Sequence, residues 1–195
     1  MKKATLGFLA LSLGFALALP AAAYEPPKKG VPAMPGKKDE KAATLKVGDK
    51  APAITIDKWV KGEGAKTFEK GKVYVVEFWG LVNQPSVEAL PYMHEAAKKH
   101  KTATVMAVAS SDRITKPKAI EEFVKAQGDK INYHVGYETK GKMRADWMEA
   151  AGVDKLPAVF IIDRDGEIAW IGLPKDMETP LDKAVKKGTT NPKKK

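Results

Sequence analysis

The sequence predicts an α/β domain, with a central mixed β-sheet flanked by helices on both faces and a terminal β-hairpin and helix. Three observations predict it. Apolar, β-branched runs at 73–79, 103–109 and 158–162 read as strands buried on both faces. Helical spacing separates the early runs, which implies crossovers and parallel pairing. Asp163-Arg164-Asp165-Gly166 carries an Asp-Gly turn signal, so the last two strands form an antiparallel hairpin.

Residues 1–23 read as an export signal. Lys2 and Lys3 form a positive start, residues 4–19 an apolar run, Pro20 a break, and Ala21-Ala22-Ala23 a small-residue cleavage site. The apolar run has 16 residues, short for a membrane span, which needs about 20. A cleaved leader leaves 172 residues from Tyr24 and no transmembrane anchor. Lipoprotein processing needs a cysteine, and the sequence has none. The expected location is exported, periplasmic or extracellular. Disulfides are available there, yet without cysteine stability has to come from packing.

Residues 24–44, with Pro26, Pro27, Pro32, Pro35 and several lysines, read as an extended linker. The ordered domain is expected over 45–187. It starts with a short strand at 54–56 and a turn at Gly62-Glu63-Gly64. The strand at 73–79 is apolar except for Glu77, and a helix over 85–100 carries Pro85 in its first turn. After the strand at 103–109, Pro117 opens a helix in which Ile120, Phe123 and Val124 give i, i+3, i+4 spacing up to Gly128. A short strand is expected at 131–135. A helix at 141–151 carries Met143, Trp147 and Met148 as core residues and stops at Gly152. The hairpin strands follow at 158–162 and 167–171, then a helix at 181–187 and a basic tail at 188–195.

The formal charge of +10 is unevenly placed. The leader holds +2, residues 24–44 hold +2 and residues 186–195 hold +5, leaving +1 for residues 45–185. A nearly neutral body with basic ends and no basic stripe interleaved with aromatics argues against specific nucleic-acid binding.

The segment 77–91 carries the motif. Glu77-Phe78-Trp79 ends a strand, Asn83-Gln84-Pro85-Ser86 makes a corner, and Pro91 follows five residues after Ser86. Leu156-Pro157 precedes a strand, and Asp163-Arg164-Asp165-Gly166 precedes Glu167-Ile168. In order and in register, these landmarks resemble the TlpA-type branch of the thioredoxin-like superfamily, exported thiol-disulfide oxidoreductases of redoxin type. The resemblance covers roughly residues 45–187. It implies a thioredoxin-like fold, a cis Pro157 and a Cys-x-x-Cys corner. Here Asn83 and Ser86 stand at both cysteine positions, Val82 replaces the common Trp, and Gln84 stands where Gly is frequent.

Disulfide exchange needs a thiolate attacking sulfur, so neither dithiol nor peroxide-reducing chemistry is expected of this chain, and no cofactor is expected. Ser86 as a hydrolytic nucleophile would need an adjacent base. His94 is two helical turns away, ~12 Å along the axis. Asn83 reads as a helix cap; the other reading joins Asn83, Gln84 and Ser86 with helix-end N–H groups as a small polar binding surface. Glu77 is a buried carboxylate. In the family that position moves protons for the buried cysteine; here it is either a relic or a group with a raised pKa serving another ligand. A cis Pro157 would present the Leu156 backbone to an extended peptide, as family members hold substrate polypeptides. Trp79 either lines that surface or packs inside. His94, His100 and His134 show no metal-ligand spacing in sequence.

The reading that follows is a thioredoxin-like module without its dithiol, binding an extended polypeptide or protein partner through Leu156, Pro157 and the 83–86 corner. One alternative is a component of a thiol-disulfide oxidoreductase system acting through a partner. The other is a structural envelope protein.

Overall fold

Six strands form one mixed sheet in the computed structural model, which describes residues 44–110 and 116–187. The expected leader, nearly all of the expected linker and the basic tail lie outside the described residues. The strands are β1 (Lys58–Lys61), β2 (Val73–Trp79), β3 (Ala103–Ser110), β4 (His134–Glu138), β5 (Ala158–Ile162) and β6 (Ile168–Gly172), in the spatial order β1-β4-β3-β2-β5-β6. The crossovers make β2, β3 and β4 parallel neighbours. β5 runs antiparallel to both β2 and β6, and β1 antiparallel to β4.

β2 is central, and every residue in it is buried. Alternation sends its side chains to two cores. Tyr74, Val76 and Phe78 join Met106, Val108, Phe160 and Ile162 on one face, under Met143, Trp147 and Met148. Val73, Val75 and Trp79 join Val105, Ala107, Val159 and Ile161 on the other. That second face is covered by α2 (Leu90–Lys99), α3 (Pro117–Gln127) and α4 (Glu178–Lys186), through Met93, Ile120 and Leu181 among others.

The hairpin forms at the Asp-Gly signal. Gly166 N donates to Asp163 O at 3.0 Å, and Gly166 takes the positive φ of 75° that the turn needs. The Asp163 carboxylate accepts from Asp165 N and Glu167 N at 2.9 and 3.1 Å and from Lys187 Nζ at 3.1 Å.

Four expectations need correction. The first strand is not at 54–56. Ile54 and Ile56 dip into the core, while the ladder with β4 begins at Lys58, after Asp57 anchors the segment. Asp57 N donates to Tyr137 O at 2.9 Å, and its carboxylate accepts from the Thr139 N–H and hydroxyl at 2.6 Å each. The strand expected at 131–135 runs at 134–138. Ile131 and Tyr133 are buried but precede it. Gly136 is central to it because a Cβ there would meet Ile56 Cγ2 at 2.7 Å and the Lys58 carbonyl at 3.1 Å.

The helix expected at 85–100 is two helices, α1 (Gln84–Glu88) and α2, separated at Ala89 with Pro91 in the first turn of α2. The helix expected at 141–151 is a π-helical segment over Arg144–Glu149, with i→i+5 bonds from Ala150 N to Ala145 O and from Val153 N to Met148 O. α-Helical steps would turn Met148 about 140° away from Met143. The wider turn keeps Met143, Trp147 and Met148 together in one core.

Candidate functional site

The sheet register builds the site. β2 and β5 pair with Phe78 opposite Ala158. The loop leaving β2 therefore meets the residues that enter β5, Leu156 and Pro157. Gly80 sits between them: a Cβ there would lie 3.2 Å from Leu156 Cδ1 and 3.3 Å from Asn83 Cβ. The Leu156–Pro157 peptide bond is cis. Leu156 is half-buried and Pro157 buried.

Asn83 has extended backbone angles, φ −98° and ψ 105°, and caps α1. Its side-chain oxygen accepts from Ser86 N at 2.9 Å and from the Ser86 hydroxyl at 2.8 Å. The same hydroxyl accepts from Gly80 N at 3.2 Å. Ser86 is 1 % exposed, and Asn83 and Ser86, which stand where the resemblance implies the two cysteines, bond to each other and to the incoming loop. Gln84 Nε2 donates along the helix to Glu88 at 3.0 Å. Pro85 occupies the first turn of α1. His94 turns elsewhere, with Nδ1 3.2 Å from Lys130 O. His94 is thus not placed as a base for Ser86, whose hydroxyl is already engaged with Asn83 and Gly80.

A groove of about 320 Å³ opens beside this corner. Pro85, Glu88 and Tyr92 line it together with Pro157, Leu173, Pro174 and Lys175. Tyr92 and Leu173 are 48 % and 43 % exposed, and Val82 on the corner loop 67 %. These are three of the four large apolar side chains exposed among the described residues.

Glu77 faces the same core as Val75 and Trp79, by alternation along β2. It is 1 % exposed, and its Oε1 finds no hydrogen-bond partner. Burial alone pushes its carboxyl up to about 8, so it carries its proton at neutral pH. Tyr133 lies close enough to feel it: burial first, and then the Glu77 charge, push the phenol well above its usual range. Trp79 packs inside and does not line the surface. It is 3 % exposed, its ring packs on Phe123 with centroids 5.7 Å apart, and its Nε1 has no partner.

Two polar features escaped the sequence reading. Glu138 is buried, and its two carboxylate oxygens accept from Met143 N and Arg144 N at 2.8 and 2.9 Å, capping the π-helical segment. His100 at the end of α2 meets Glu178 and Asp182 of α4, so that one ligand atom from each lies within 4.8 Å of the others. These three residues are 78 and 4 positions apart in the chain, which no local spacing rule detects.

The family model described as Redoxin matches residues 46–187. The chain belongs to the Redoxin family. Among its relatives, FixW of Rhizobium leguminosarum is 29% identical over 137 residues, which are 67% of this chain and 62% of FixW, so the match spans less than two thirds of that relative. The thiol-disulfide oxidoreductase ResA of Bacillus thuringiensis subsp. konkukian is 33% identical over 132 residues, 67% of this chain and 70% of ResA. The thiol-disulfide isomerase of Corynebacterium glutamicum superposes with a TM-score of 0.57 at 20% identity, over 69% of this chain and 96% of that one. StoA of Bacillus subtilis gives 0.54 at 20% identity, over 68% and 98%. The fold is therefore thioredoxin-like. This redoxin domain, of TlpA type, contains no cysteine.

Proposed function

We propose that this redoxin domain is a non-catalytic module that binds extended polypeptide in the groove between α1, the start of α2, Pro157 and Leu173. The observation that carries the reading is the groove itself: an apolar cleft of about 320 Å³ beside a corner with no redox reagent, edged by exposed Tyr92 and Leu173. Exposed apolar side chains gathered at one place on a domain mark interaction sites. Polypeptide suits a shallow cleft of this volume, open at its rim and rich in proline and aromatic surface. The export signal read in residues 1–23 supports action outside the cytoplasm. Among the described residues no helix is long and apolar enough to cross a membrane.

The test uses carboxymethylated insulin B chain, an extended polypeptide with its thiols blocked, titrated against the purified chain by calorimetry. Binding that weakens at least tenfold in Tyr92→Glu and Leu173→Glu supports the reading. No binding at millimolar peptide, or binding indifferent to both substitutions, overturns it. The oxidoreductase names of the ResA relatives favour a second reading, in which the module serves a thiol-disulfide system through a cysteine-bearing partner. Insulin reduction accelerated by this chain only when such a relative is present would support it.

A further inference from the structure

His100 is the C-cap of α2 and is 6 % exposed. Its Nε2 is buried and has no hydrogen-bond partner. The atom points at two carboxylates on the first turns of α4, lying 3.4 Å from Asp182 Oδ1 and 3.7 Å from Glu178 Oε2. Glu178 and Asp182 are four residues apart and so share one helix face. Both separations exceed the usual 2.7–3.2 Å of a nitrogen–oxygen hydrogen bond. They are close to the edge of a tetrahedron around zinc: bonds of about 2.0–2.2 Å to nitrogen and oxygen place neighbouring ligand atoms roughly 3.3–3.6 Å apart.

From this geometry we propose that His100, Glu178 and Asp182 form a three-ligand site for a divalent transition metal of the zinc class, with the fourth position open to water. An imidazole nitrogen among the ligands selects against calcium and magnesium, which take oxygen donors. Lys99 is the internal competitor. Its ammonium pairs with Glu178 Oε1 and lies 3.3 Å from Asp182 Oδ1, the oxygen that also faces His100. Metal binding moves Lys99 off Asp182 and leaves it on the outer oxygen of Glu178. The bound ion ties the end of α2 to the start of α4, both of which pack on the core containing Val75 and Trp79. The site is independent of the polypeptide groove.

Titrating the chelator-treated protein with Co²⁺ and recording visible absorption tests the proposal. One equivalent should give the intense bands of tetrahedral cobalt, and Zn²⁺ should abolish them. Asp182→Asn and Glu178→Gln, both on solvent-facing side chains, should each weaken binding at least tenfold; His100→Gln should abolish the bands. Lys99→Met should tighten binding. Zinc at ~100-fold its dissociation constant should raise the melting temperature on the order of 5–10 °C. Absence of tetrahedral bands, affinity unchanged in Asp182→Asn and Glu178→Gln, or weaker binding in Lys99→Met would each overturn the assignment and leave a plain cluster of ion pairs.

Discussion

Replacing Glu77 by Gln keeps the shape of a side chain that is 1 % exposed in the middle of β2 and removes its titration. Burial raises the carboxyl from an ordinary 4.5 to about 8. Between those values the folded protein holds a proton that the unfolded chain releases, so stability is greatest below the unfolded pKa and falls as the pH rises toward the folded one. The slope in that window is about 1.4 kcal/mol per pH unit, which gives roughly 2–3 kcal/mol lost between pH 5 and pH 7. Glu77→Gln lacks this loss. Its stability relative to wild type should therefore climb with pH, whatever constant offset the amide introduces. Urea unfolding of both proteins at pH 5, 6, 7 and 8 measures the difference. Parallel pH profiles would refute the reasoning, because they would mean that Glu77 ionises alike in the folded and unfolded chains. A variant that loses ground as pH rises would show instead that the ionised carboxylate stabilises the fold.

The corner, the hairpin and the buried glycine give further tests. Asn83→Ala removes the acceptor of two bonds and should cost about 1–2 kcal/mol in urea unfolding, while Ser86→Ala, which strands the Gly80 N–H, should cost about 1–3 kcal/mol. The double variant Asn83→Cys with Ser86→Cys should form an intramolecular disulfide, seen as two fewer free thiols by mass spectrometry, because the present side chains already meet at 2.8 Å. Burial works against ionised Asp163, but the N–H groups of Glu167 and Asp165 and the ammonium of Lys187 outweigh it and hold the carboxyl below its usual range. Asp163→Asn should accordingly lose about 1–2 kcal/mol at pH 7, and the gap to wild type should close as pH falls below 4. Gly136→Ala should destabilise by about 1–3 kcal/mol, since the new methyl meets the Lys58 carbonyl as well as a movable Ile56.

The sheet centre was legible in the sequence because β2, β3 and β5 are buried on both faces and so read as unbroken apolar runs. The sheet edge was not. β4 contains Gly136 and the capping Glu138, which are polar or featureless in sequence and acquire meaning only from Ile56, Lys58 and the π-helical segment packed against them. β1 is Lys-Trp-Val-Lys, half solvated, with a register shift between Trp59 and Lys61. The more β-like residues Ile54 and Ile56 supply core contacts without ladder bonds. At the site, the cap of Asn83 on α1 followed from residue type and position. Trp79 did not, since a strand-end aromatic says nothing about which face it takes until the register with β3 and the cover of α3 are known. The groove draws on Leu173 and Pro174, far along the chain from the corner, and His100 meets α4 only through the packed fold.

The chemistry left at the corner bears on where function can reside. The family role implied for Glu77 is proton transfer to a buried thiol, and there is no thiol to serve. Its retention still has a simple energetic account. With a pKa of about 8 the carboxyl is neutral at pH 7, and a neutral polar group left without a partner costs about 1–3 kcal/mol, far less than a buried unpaired charge. A fold of this size tolerates that cost, so keeping Glu77 requires no reaction. The exposed Tyr92, Leu173 and Val82 stand differently. Apolar side chains held in water gain nothing for the isolated domain, and they lie around a corner that carries no thiol. The Asn83–Ser86 bond meanwhile ties the corner to the first turn of α1. The proposed polypeptide binding is therefore to be tested on the rim of the groove, at Tyr92 and Leu173, and not at the buried carboxyl of Glu77.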